Sequence, residues 1–389
     1  MSRQHQARVV VLGMMGRTPF AGVAWQVLQY LEGLRRLGHD VYYVEDTETW
    51  PYDAEQNTVT DDCGYTLRYI ARLMTWWGEP DRWAYRSGVD GQTFGLSQTQ
   101  VSDVLGSADA LINLTGATVL REEHCRVPIR IYLETDPVLP QVEVAQGRQF
   151  TIELLRAHTH HFTFGENLGA ADCGVPLGPF EYQPTRQPII LDWWPDPEPT
   201  TGSAFTTVAN WRQSSKDLEW NGEKYSWSKH HEFLKFIDLP KRTNVPIELA
   251  LACEDAAALR LLAAHSWRIV DAIPLSRDIL PYRDYILGSR GEFTVAKDQN
   301  IRLRSGWFSD RSACYLAAGK PVITQDTGFG NILPTGQGLF AFHTIDDILR
   351  ALDRATADYQ GQARAAKEIV AEFFAAERVL ASLLERAGL

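Results

Sequence analysis

Short runs of β-branched and aliphatic residues recur along the chain, separated by stretches whose apolar positions fall every three or four residues. The first run, Arg8–Leu12 (RVVVL), is apolar without alternation, which suits a strand buried on both faces of a parallel sheet. The glycine-containing GMMGRTPFAG follows. Residues 23–37 then place Val27, Leu28, Leu31 and Leu34 on one helical face, with Gly38 as the left-handed stop. A second strand at 41–44 ends in Glu45-Asp46, completing a βαβ unit. ADALINL (108–114), IRIYL (129–133) and HFTF (161–164) read as further parallel strands. Between Thr47 and Gln100 the period is broken; Trp76, Trp77 and Trp83 are assigned there to a helical stretch.

Between Gly178 and Gly202 the segment PTRQPIILDWWPDPEPTTG has the proline-rich composition of a linker. A second alternating series begins beyond it, with strands expected at FTTVA (205–209), IELALAC (247–253), FTVA (293–296) and PVIT (321–324). From Thr344 onward the pattern is helical, opened by a Thr344/Asp347 capping box. The expected architecture is α/β: two Rossmann-like, doubly wound domains facing a central cleft, with a C-terminal helical tail. Residues 1–180 form the first domain, 181–204 the linker, 205–365 the second domain, and 366–389 a terminal helix that packs back on the first. Ligands of open parallel sheets bind beyond the carboxyl ends of the strands, so the strand-end loops of both domains should line one cleft.

Composition narrows the partners. A chain of 389 residues exceeds what one core usually supports, in keeping with two domains. A net charge of −11 disfavours nucleic acid and anionic membranes as general partners, while leaving room for a small phosphorylated ligand. The five cysteines show neither metal-ligand spacing nor a disulfide framework, which suits a reducing cytoplasm. No apolar run is long enough to cross a bilayer.

The most informative stretch is GWFSDRSACYLAAGKPVI (306–323). Ser309 is a suitable N-cap, Asp310 complements the helix dipole, and Gly319 and Pro321 end a short helix before a buried strand. The start of that helix lies at the carboxyl edge of the sheet, where backbone N–H groups can hold a diphosphate and Arg311 can add a charged fork. Simple capping by Ser309 and Asp310, with Arg311 solvated, is the alternative. The next loop, Gln325-Asp326-Thr327-Gly328-Phe329-Gly330, is polar and glycine-rich, and two such loops favour a ligand site.

The segment 293–340, with its loop, helix, Ala318-Gly319-Lys320-Pro321 turn, strand and glycine loop, resembles the donor-binding half of GT-B-fold glycosyltransferases. The resemblance implies a nucleotide-diphosphate sugar in the second domain and an acceptor in the first. Many retaining members carry two glutamates here; the matching positions are Gly306 and Cys314, so that pair is absent. In similar folds the loop after the second domain's first strand brings basic residues to the phosphates, which singles out Trp211, Arg212, Lys216 and Lys229. Gly16, Phe20 and Gly22 are candidates for acceptor contact, because glycines at 13, 16 and 22 do not make the dinucleotide fingerprint. Asp136 and Glu134, at a strand end, are the candidate bases. His158–His161 precedes a strand and falls at the opposite edge of the sheet. No metal and no cofactor beyond the sugar nucleotide is expected: motifs such as HExxH are missing, and Asp196-Pro197-Glu198 is stiffened by proline. A sugar-nucleotide epimerase or a non-catalytic sugar-nucleotide binder would share this layout.

Overall fold

Arg8–Leu12 occupies the interior of an eight-stranded sheet, flanked by Asp40–Glu45 on one side and Ala110–Leu114 on the other. In this computed structural model, which describes residues 6–195, 202–213 and 216–389, the spatial order is Tyr182–Pro184, His160–Thr163, Ile129–Glu134, Ala110–Leu114, Arg8–Leu12, Asp40–Glu45, Trp83–Arg86 and Thr93–Gly95. Every pairing is parallel except that of the last strand. The second sheet runs Arg268–Asp271, Ile247–Ala252, Phe205–Asn210, Gly291–Thr294, Val322–Gln325 and Leu339–Phe342, all parallel. Both sheets therefore reverse direction beside their first strand, the doubly wound arrangement expected from the alternating pattern.

The stretch without a readable period holds two kinds of element. Gly64–Trp77 is a helix that ends at left-handed Gly78, whereas Trp83 opens a strand and does not continue the helix. Charged and turn residues at 78–82 separate them, and Trp83 gains its burial by pairing with Tyr43, which is visible only in three dimensions. Part of the expected linker is also built into the fold. Tyr182–Pro184 is an edge strand, Trp193 and Trp194 pack against Trp25, and residues 196–201, including Asp196-Pro197-Glu198, lie outside the described residues.

The chain crosses between domains twice, side by side. Ile189 N–H donates to Phe374 O (2.7 Å), and Ala376 N–H donates to Ile189 O (3.0 Å). The helical tail breaks there. Tyr359–Phe373 packs on Asp310–Ala317 of the second domain, and Ala376–Ala387 lies on Ala21–Arg36 of the first. Gly33 permits that contact, since a Cβ there would stand 2.4 Å from Leu380 Cδ1.

Lys320, in the turn before the strand Val322–Gln325, is fully buried and its ammonium lacks a hydrogen-bond partner among the described residues. Burial, reinforced by Arg290, pushes its pKa down to about 8. The unfolded chain, whose lysines titrate near ~10.4, binds more protons in between, so stability should rise as pH climbs through that window. Lys320→Met is expected to raise stability at pH 7 by about 2 kcal/mol and to flatten the rise. Calorimetric melts at pH 7 and 9.5 check this; an unchanged or lower midpoint at pH 7 contradicts it.

Candidate functional site

The two sheets point their carboxyl ends at each other, and a cavity of about 560 Å³ lies between them. It sits at both reversal points. Met14 and Thr115 follow the two central strands of the first domain, while Asn210 ends one central strand of the second and Lys297 follows the other. Phe20, Gly22, Glu134 and Asp136 line the wall of the first domain, and Lys216, Trp227, Lys229, Ser309 and Asp310 that of the second.

The helix Asp310–Ala317 starts in this cavity. Ser309 has the extended N-cap backbone (φ −87°, ψ 137°), yet its hydroxyl caps nothing, which leaves the amides of Arg311 and Ser312 without a side-chain acceptor among the described residues. Asp310 Oδ1 accepts from Gln26 Nε2 of the first domain at 3.1 Å. Burial lifts the Asp310 carboxyl to about 6, and the nearby Asp136 adds to the rise.

Arg311 does not offer a free fork. Its Nε donates to Glu292 Oε1 (2.5 Å), Nη1 to Val208 O (2.9 Å) and Nη2 to Thr294 Oγ1 (2.9 Å). The strands Phe205–Asn210 and Gly291–Thr294 pair only at Phe205 and Thr206, so they part toward the cleft. Arg311 fills the split, and its charge is met by fully buried Glu292. The expected phosphate fork is thus a structural tie.

Free positive charge comes from lysines instead. Lys229 lines the cavity, its ammonium without a hydrogen bond or ion pair among the described residues; its Nζ lies 5.3 Å from the Trp307 ring centre. Burial holds its pKa well below the ordinary lysine value, and Arg311 and Lys297 push the same way. Lys216 and Lys297 share the Trp227 ring, at 4.7 and 3.2 Å from its centre. Lys297 also pairs with Asp136 across the cleft. Glu134 is buried, accepts from both Gln141 and Thr163, and is raised by burial to about 7.

Several expected donor contacts lie elsewhere. Trp211 is a core residue, 1% exposed and packed on Phe233. Arg212 reaches away to Asp255 (3.1 Å) and lines a neighbouring cavity. The glycine loop serves the joint between domains. Gln325 is held by Glu232, and Asp326 binds Arg304 (3.0 Å) and caps Gly328 N–H. Thr327 donates to Trp307 O (2.6 Å), Phe329 packs on Phe308, and Gly330 is exposed outside the cavity. Asn167 of the first domain completes that joint by binding Arg304 O and Asn331. Loop composition alone does not reveal that a neighbouring domain has taken its polar groups. Gly16 is likewise structural: its N–H donates to Glu45 (2.7 Å), and a Cβ would strike Ile70 and Thr66.

Gly306 explains the missing glutamate. Its φ is +81°, and a Cβ would stand 2.4 Å from Asn167 N, so no larger residue fits. Cys314 is buried in the cavity wall. Lys297, Trp227, Trp307 and Gln26 were not among the residues singled out from the sequence. Lys297 follows directly on the expected strand FTVA, so its strand-end position was the available signal. Among the described residues, one group has metal-ligand proximity: Asp46, Glu123 and His124, with ligand atoms within 4.8 Å of one another. Arg86 and Arg121 already pair with Asp46 there, supplying the charge a cation would bring.

No protein-family model matches the chain, and no curated protein does. Solved structures do. Anabaena HepE in complex with UDP and glucose is similar with a TM-score of 0.57 and 10% identity, covering 98% of this chain and 100% of that one. An alpha-glucosyltransferase in complex with UDP and a 13-mer DNA gives 0.59 and 9%, covering 99% and 100%. A glycosyltransferase from Rickettsia africae gives 0.53 and 9%, covering 99% and 98%. At these identities the likeness establishes the fold, the two-domain GT-B architecture expected from the sequence. Among the described residues no helix is long and apolar enough to cross a membrane.

Proposed function

We propose that this protein is a glycosyltransferase that moves a sugar from a nucleoside diphosphate to an acceptor held by the first domain. The observation that carries the reading is Lys229, an ammonium without an ion-pair partner among the described residues, in the interdomain cleft beside the uncapped start of Asp310–Ala317. A diphosphate fits there. Lys229, Lys216 and Lys297 supply charge, and the helix amides supply oriented donors, so the leaving group can be stabilised without a metal. The full-length likeness to proteins solved with UDP or UDP-glucose supports uracil as the base.

Phe20 and Gly22 shape the acceptor side, with Glu134 and Asp136 at its floor. Closure of the two walls would exclude water and protect the donor from hydrolysis. One neighbour was solved with DNA. For this chain the net charge of −11 argues for an acceptor other than nucleic acid. Five unpaired cysteines accord with a cytoplasmic location.

A thermal-shift screen with UDP, GDP, dTDP and ADP and their sugars tests the reading, because a ligand that binds only the folded state raises its melting point. UDP and UDP-sugars are expected to give the largest shifts; no shift with any nucleotide overturns the reading. Product analysis without acceptor separates transfer from epimerisation.

Donor affinity should depend on pH. As pH falls from 8 to 6, Asp310 (about 6) loses negative charge beside the diphosphate position. UDP-glucose, whose diphosphate has no proton to take up in this range, should bind roughly tenfold tighter at pH 6, the scale of one close charge interaction. Asp310→Asn should weaken the dependence. Calorimetric titration at three pH values checks it, and looser binding at pH 6 would refute the charge assignment.

A further inference from the structure

We infer that the Asp136–Lys297 ion pair masks the acceptor side of the cleft until donor arrives: the diphosphate takes Lys297 and leaves Asp136 unpaired. The inference rests on the glycosyl-transfer reading and adds an order of events to it.

The pair spans the cleft. Asp136 stands just beyond the strand Ile129–Glu134 of the first domain, and Lys297 just beyond Gly291–Thr294 of the second. Its two ends are unequal. Lys297 is 7% exposed and lies on the Trp227 ring, so it is held in place by packing as well as by charge. Asp136 uses Oδ2 on Lys297, while its Oδ1 is buried with no hydrogen-bond partner among the described residues. The unmet Oδ1 costs free energy as the pair stands. A half-satisfied carboxylate facing a cavity suits an arrangement that changes when the cavity fills.

The surrounding charge makes the change favourable. Lys216, Lys229 and Lys297 face the cavity with Glu134, Asp136 and Asp310 as the carboxylates beside them, while Arg311 is consumed by Glu292. A diphosphate carries two negative charges against the single one of Asp136, so Lys297 gains by turning to it. Asp136 then loses its ion-pair partner and is free to accept a proton. In the transfer itself the acceptor hydroxyl gives its proton to Asp136. Its oxygen forms the new bond to the anomeric carbon, and the bond from that carbon to the diphosphate breaks with its electron pair on the leaving group. Without donor the carboxylate stays neutralised, so donor binding precedes productive acceptor binding.

A double-mutant cycle read by calorimetric titration of inorganic pyrophosphate and of UDP tests this. Asp136→Asn removes the competitor for Lys297 and should tighten both ligands by about tenfold. In a Lys297→Met background the same change should tighten them by less than about threefold. A purely structural pair predicts the opposite sign, with Asp136→Asn weakening or sparing binding. Melting curves establish that each variant is folded; if Lys297→Met is not, Lys297→Gln takes its place in the cycle. Equal tightening in both backgrounds, or none, overturns the mask while leaving the donor site intact. Failure of the unmodified protein to bind either ligand overturns the glycosyl-transfer reading as well.

Discussion

Replacing Arg311 with alanine is expected to cost about 3–5 kcal/mol of stability, the range for removing one partner of a buried ion pair. Glu292 is fully buried, its Oε1 bound to Arg311 and its Oε2 without a hydrogen-bond partner among the described residues. Without the guanidinium that carboxylate is an uncompensated charge, and Val208 O and Thr294 Oγ1 lose donors where the two central strands have parted. The loss should be largely recovered in Arg311→Met/Glu292→Gln, which removes both charges together. Urea unfolding of the two variants checks this. A loss under about 1 kcal/mol would mean that the guanidinium is not tied down in solution. UDP titration of the double variant separates structure from binding: a phosphate ligand at 311 would change nucleotide affinity per folded molecule even where stability was restored.

Lys229→Met should do the reverse, weakening UDP at least about thirtyfold while raising the melting point. A charge-assisted contact to a phosphate is worth about 2 kcal/mol, which corresponds to that factor. The stability gain follows from the cause of the depressed pKa. Burial and the nearby cations Arg311 and Lys297 penalise the charged form of Lys229, and methionine keeps the length of the stem without the charge. Melts and UDP titrations on one preparation decide the matter. A lower melting point together with unchanged UDP affinity would show that Lys229 serves packing rather than ligand. Opposite signs on stability and affinity are expected where a protein holds charge ready for a ligand.

Arg8–Leu12 and Phe205–Asn210 are readable as central strands because residues buried on both faces must be apolar throughout, a rule that acts on the local chain. The same rule hid Trp83–Arg86 and Arg268–Asp271, whose burial or pairing comes from a neighbouring strand more than from their own pattern. Ser309, Asp310, Lys216, Lys229, Glu134 and Asp136 reach the cleft because position at a strand end or helix start follows from element order.

Arg311 and the loop from Gln325 to Gly330 have equally suitable chemistry and equally suitable positions in the chain. Glu292 and Asn167 are what occupy them, one from the adjacent strand and one from the other domain. The amino-acid order by itself therefore determined the two doubly wound sheets and the edge on which a ligand must sit. Only the tertiary structure decided which cations remain free to meet that ligand, because a charge is available only when no group brought in from a distant part of the chain has already paired with it.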